Sequence, residues 1–154
     1  MTLALVIAFG VRCLLVFLFL PFSALDKIVN FRGAVAQADE RAPGGMATAL
    51  ILVGLFVEIV MSLGVVTGIA DRLAAFVLAG YCGATALLWK QFWAQGDFWS
   101  GGKGRDLFWD FLKNFSLAGG FLLITFGTSD ATAMRFFADP LASSNPYSAP
   151  MEPR

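Results

Sequence analysis

Four side chains that could bind or move charge stand in or beside stretches otherwise suited to hydrocarbon: Arg12, Lys27, Glu58 and Asn114. Arg12 interrupts "GVRCLLVFLFLPFSALDK", and Glu58 is the one acid in "MATALILVGLFVEIVMSLGVVTGI". A charge left alone at mid-bilayer costs about 2.5–3.5 kcal/mol on insertion scales. Arg12 lies roughly 14 Å along the first apolar helix at ~1.5 Å per residue, and Glu58 lies near the middle of the second, which runs the opposite way. The two are therefore expected to face and neutralise each other. Such a pair is either a register pin between helices or part of a quinone, proton or headgroup site. A second cluster, Asp106, Asp110, Lys113 and Asn114, opens a later apolar run. Asp106 and Asp110 are four apart on one face, Asp110 and Lys113 form an i,i+3 pair, and first-turn acids suit the helix dipole. Asn114 goes deeper and needs a partner inside the bundle.

No complete catalytic set accompanies these groups. The chain has no histidine, which removes imidazole acid–base chemistry, His-ligated haem and the usual zinc sites. Cys13 and Cys82 form no CxxC dithiol and read as inert packing thiols. "SGGKG" at 100–104 lacks the Ser or Thr that a phosphate loop needs after its Lys; it reads as a flexible connection. Neither catalytic nor metal-ligating residues are expected.

The elements that must position the polar groups follow from composition. Of 154 residues 58% are hydrophobic and 14% charged, with mean hydropathy +0.73. A soluble domain of this size could not hide that much apolar surface. Lys plus Arg balances Asp plus Glu at 11 each, so there is no basic field for nucleic acid. Four stretches, about 3–25, 46–69, 72–93 and 107–127, reach the ~20 apolar residues that cross a ~30 Å hydrocarbon layer. No stretch alternates with the period of a membrane barrel. The expected fold is all-α, an integral membrane bundle of four transmembrane helices over residues 1–128. The first stretch lacks a basic leader and a small-residue cleavage site and reads as a retained anchor. Pro21 should kink it, and Asp26 and Lys27 could snorkel to the interface.

Small residues recur at helix-packing intervals: Gly64 and Gly68 on the second stretch, Ala75, Ala79 and Gly83 on the third, and Gly119 with Gly120 interrupting the fourth. In lipid such residues let backbones approach. The Asp71–Arg72 turn makes the second and third helices a tight hairpin. Lys27, Arg32, Arg41, Lys90, Lys103 and Arg105 fall in the two longer connections, which places those loops in the cytoplasm and both termini outside. Trp89, Trp93, Trp99 and Trp109 gather on the same side as an interfacial belt would. Residues 129–154, rich in Pro and Ser, are expected to form an extended tail rather than a fifth span.

"VEIVMSLGVVTGIADRLAA" resembles the second-to-third helix signature of the DoxX family, and "FLKNFSLAGGFLL" resembles that family's fourth helix. The likeness spans about residues 8–127, with Arg12 and Lys27 fitting the first helix. It departs at Pro21-Phe22-Ser23, where relatives commonly have a small, Gly-containing step. The resemblance implies a compact four-helix bundle in a bacterial cytoplasmic membrane, with Arg12, Lys27, Glu58 and Asn114 as its polar positions. It leaves the function open. One expectation is a non-catalytic accessory subunit that packs against a larger redox or energy-converting membrane complex. The alternatives are a quinone- or lipid-binding component of an oxidoreductase of the thiosulfate:quinone type and an assembly chaperone.

Overall fold

A computed structural model describes residues 3–40, 42 and 45–148. Arg41, counted above among the loop cations, and the chain beyond residue 148 lie outside the described residues. The helices are α1 (Leu3–Val29), α2 (Phe31–Asp39), α3 (Met46–Thr67), α4 (Asp71–Trp89), α5 (Lys103–Phe126) and α6 (Asp130–Ala138). There is no strand among the described residues. Four helices, α1, α3, α4 and α5, are long and apolar enough to cross a membrane.

The central helix is α4. Its Ala74, Ala75, Leu78, Ala79 and Cys82 are buried together with Val16 and Phe19 of α1, Val65 of α3 and Phe121 of α5. Alanines on this face let α3 and α5 approach closely, which is how packing is gained where lipid offers no hydrophobic drive. The outer faces carry exposed Leu, Phe and Val, among them Leu14, Val53, Phe56 and Leu123, as a lipid-covered surface requires. Gly64 sits against α4, since a Cβ there would come within 2.9 Å of the Ala74 Cβ. A Cβ at Gly120 would lie 2.8 Å from Leu15 of α1. Gly68 works differently: at φ +79° it ends α3 in the left-handed conformation that glycine adopts without steric cost. Gly83 and Gly119 have nothing within 4 Å of where a Cβ would stand, so neither is a packing residue. Nor do Gly119 and Gly120 interrupt α5, which runs through both.

Three other boundaries differ from the sequence reading. α1 extends to Val29, so Lys27 lies within the helix and its ammonium turns inward instead of snorkelling. At Pro21, where a kink is expected, the helix widens into a π turn over Leu18–Ser23, which accommodates a residue with no amide hydrogen. The tail is not wholly extended: α6 starts on a Ser129–Thr132 capping box and packs against the end of α5. The chain then returns over the bundle.

Candidate binding cleft and the buried charges

Arg12 and Glu58 are both buried, yet they do not pair. Each belongs to a separate polar group.

The Arg12 group closes the end of the bundle where α3 turns into α4. Its guanidinium lies 2.7 Å from the Asp71 carboxylate, donates to the Val65 carbonyl at 2.7 Å and donates to Ser144 Oγ at 2.9 Å. Helix ends leave their last carbonyls without partners, and in a membrane water is scarce. Here Arg12 takes the carbonyl of Val65, Tyr147 Oη that of Val66 and Ser143 Oγ that of Gly68. Asp71, fully buried, also accepts from the Ser144 amide at 2.8 Å and from its hydroxyl. Burial raises the Tyr147 phenol above its ordinary pKa. Arg72 does the same service for Thr125 at the end of α5, and donates as well to the carbonyl of Thr132 in the first turn of α6. This end is built as a set of caps.

The Glu58 group lies deeper. One carboxylate oxygen, Oε1, accepts from Lys27 Nζ at 2.6 Å, Ser23 Oγ at 2.8 Å and Tyr81 Oη at 2.9 Å. Lys27 also donates to Ser23 Oγ at 2.7 Å. Both backbone sources are unusual: Ser23 ends the π turn of α1, and Glu58 sits in a second π turn, Val57–Met61, of α3. Single-turn π segments occur mostly where a helix must re-aim side chains at a functional site. Oε2 of Glu58 and the hydroxyl of Ser62, four residues on, are enclosed without a hydrogen-bond partner. An unmatched carboxylate oxygen in an apolar interior is costly, and it marks this group as more than a packing feature.

Beside it opens a cleft of about 800 Å³, lined by Ser23, Lys27, Glu58, Tyr81, Trp89 and Asn114, with further polar side chains such as Asp26 and Asn30 alternating with apolar ones. Its mouth carries the helix-four cluster. Lys90 and Lys113 both pair with Asp110, at 3.0 and 3.2 Å. Asn114 donates to the Asp110 carbonyl at 2.9 Å and receives Thr85 Oγ1 at 3.5 Å, which supplies the interior partner it needs. Asp106 is exposed at the start of α5. Helix α2 packs against α3 and contributes Gly33, Ala34 and Gln37 to the same rim. Among the described residues no three His, Cys, Asp or Glu side chains converge as metal ligands would. Sequence reasoning missed Asp71, Tyr81 and Ser144. Only Asp71 left a signal, an acid directly after an apolar run.

A four-helix membrane bundle with a polar cleft opening among its spans is the class that fold and site define. A model of the DoxX family matches residues 7–91, more than half of the chain, and the protein belongs to the DoxX family. The match ends before α5, so the Lys113-Asn114 motif lies outside it. No curated protein and no solved structure matches the chain.

Proposed function

We propose that this DoxX-family protein is a non-catalytic membrane subunit that holds the headgroup of a membrane-soluble amphiphile, best a quinone, in the Glu58 cleft. The observation that carries this reading is the cleft itself: about 800 Å³, within the ~300–1,000 Å³ typical of small-molecule sites. Its walls mix apolar and polar side chains, and of the latter Lys27, Glu58, Tyr81 and Asn114 are the groups that would fix a ring's orientation. Asn114 and Lys27 can donate to a ring oxygen, and the enclosed Glu58 oxygen has no donor among the described residues. A quinone bound there would supply two-electron redox chemistry; the chain's own residues bind and orient it. The lack of histidine and of a CxxC dithiol fits an electron source on another subunit, which supports an accessory place in a bacterial cytoplasmic-membrane redox complex.

The test is direct titration. Protein in nanodiscs receives a short-chain quinone analogue, and quenching of Trp89, isolated by difference against Trp89→Phe, reports occupancy. Saturable quenching in the wild type that weakens about tenfold or more, ~1.4 kcal/mol, in Asn114→Ala supports the reading. Quenching that rises linearly with quinone in the bilayer and ignores Asn114 overturns it.

A further inference from the structure

We infer that the cleft is loaded sideways from the bilayer through a groove between α1 and α5, and that its ligand carries a hydrocarbon chain on an uncharged headgroup. The inference rests on the cleft being a headgroup site and adds how the ligand enters and what it must be attached to.

A second cavity, about 580 Å³, is lined by Leu18, Trp109, Leu112, Lys113, Ser116 and Leu117. Leu18, Lys113 and Leu117 also line the cleft, so the two adjoin across these three side chains. On α5 the lining positions 109, 112, 113, 116 and 117 follow i, i+3, i+4, i+7, i+8, one uninterrupted face. Over about 12 Å of helix that face leans on the core at Leu117 and leaves Trp109 and Leu112 exposed toward its other end. The cause is visible in α1. The two helices touch where Leu15 meets Gly120 and where Phe19 stacks near Phe121, with ring centroids 5.9 Å apart. Just beyond Leu15 the π turn of Leu18–Ser23 begins, and the groove opens from there toward the Trp109 end of α5.

Both flanking helices span the membrane, so the groove opens onto lipid, and its occupant there is a hydrocarbon chain. The charges of the cleft select the headgroup. The cleft lining carries three cations, Lys27, Lys90 and Lys113, and three acids, Asp26, Glu58 and Asp110, so it has no net charge to draw a phosphate. An uncharged ring or hydroxylated headgroup fits; an anionic phospholipid does not. Lipid tails are as apolar as leucine, so the groove contributes passage and orientation rather than hydrophobic affinity. Affinities must accordingly be compared per mole fraction in the membrane.

Two probes separate the possibilities in nanodiscs: a benzoquinone without a chain, and the same ring bearing a ten-carbon chain brominated near its end. Ser116→Trp fills the groove without touching a headgroup residue. It is expected to weaken the chain-bearing probe about tenfold or more and leave the chainless ring unchanged. In the unmutated protein the brominated chain is expected to quench Trp109, read by difference against Trp109→Phe, so the decision does not depend on Ser116→Trp folding. Ring binding that persists with no Trp109 quenching, or chain-bearing affinity unchanged in a folded Ser116→Trp protein, overturns the lateral groove alone. Failure of both probes to bind the unmutated protein overturns the cleft reading beneath it.

Discussion

Lys27 and Glu58 hold each other in the interior at 2.6 Å, the carboxylate almost fully enclosed. Removing one partner of such a pair strands the other charge and typically costs about 3–5 kcal/mol. Lys27→Met and Glu58→Gln should each lower stability by an amount of that order. The double variant should lose less than the sum, with a coupling of about 0.5–3 kcal/mol. A parallel cycle with Arg12→Gln and Glu58→Gln should be additive within about 0.5 kcal/mol, because Arg12 answers to Asp71. Unfolding of the six proteins in one detergent decides between the pairings; coupling confined to the Arg12 cycle would reinstate the partner that depth counting suggested. That counting failed for an identifiable reason. Arg12 and Glu58 were legible as buried charges, but depth along a helix says nothing of azimuth, and Asp71 reads as a turn residue until the hairpin folds it over the end of α1. The carbonyls that Arg12 caps leave no trace in a side-chain pattern.

At the scale of the helix, hydropathy and small-residue spacing located the four spans, while the function of each glycine depended on which neighbour faced it. Gly64 approaches the Ala74 Cβ so closely that any side chain must displace α4. Gly64→Leu should cost about 1–3 kcal/mol or more through overpacking. Gly119 meets nothing and lies mid-helix, so Gly119→Ala should be neutral or stabilise by up to about 1 kcal/mol. Equal losses at both positions, measured by thermal unfolding in detergent, would mean that α5 packs on a face other than the one described. The two π turns were not legible at all. A π turn adds a residue without changing composition, and Pro21 alone suggests a kink rather than the widened turn that brings Ser23 to Glu58.

The whole molecule is asymmetric: one end holds the open polar cleft, and the other is sealed by the chain's own tail. Residues 143–147 supply what the end of α3 lacks, namely hydroxyl donors for two carbonyls and two donors for the enclosed Asp71 carboxylate. Pro146 lies over Gly68, its ring carbons about 3 Å from where a Cβ would stand. A composition rich in Ser and Pro signals a strand-free, helix-poor segment, and nothing in it states that such a segment has a seat on the bundle. Ending the chain after Ala142 would return those carbonyls and Asp71 to the membrane boundary. At about 1 kcal/mol for each of five hydrogen bonds, that from Arg12 to Ser144 included, partly recovered by water, the loss should be about 2–4 kcal/mol. Ser144→Ala should reproduce about half of it, because Ser144 keeps its amide bond to Asp71 but gives up its hydroxyl between Arg12 and Asp71. The truncation should leave ligand binding at the Glu58 cleft intact, since none of residues 143–148 lines it. An unchanged unfolding midpoint after truncation would mean that Arg12 and Asp71 close this end by themselves, and that the tail merely rests on a cap already complete.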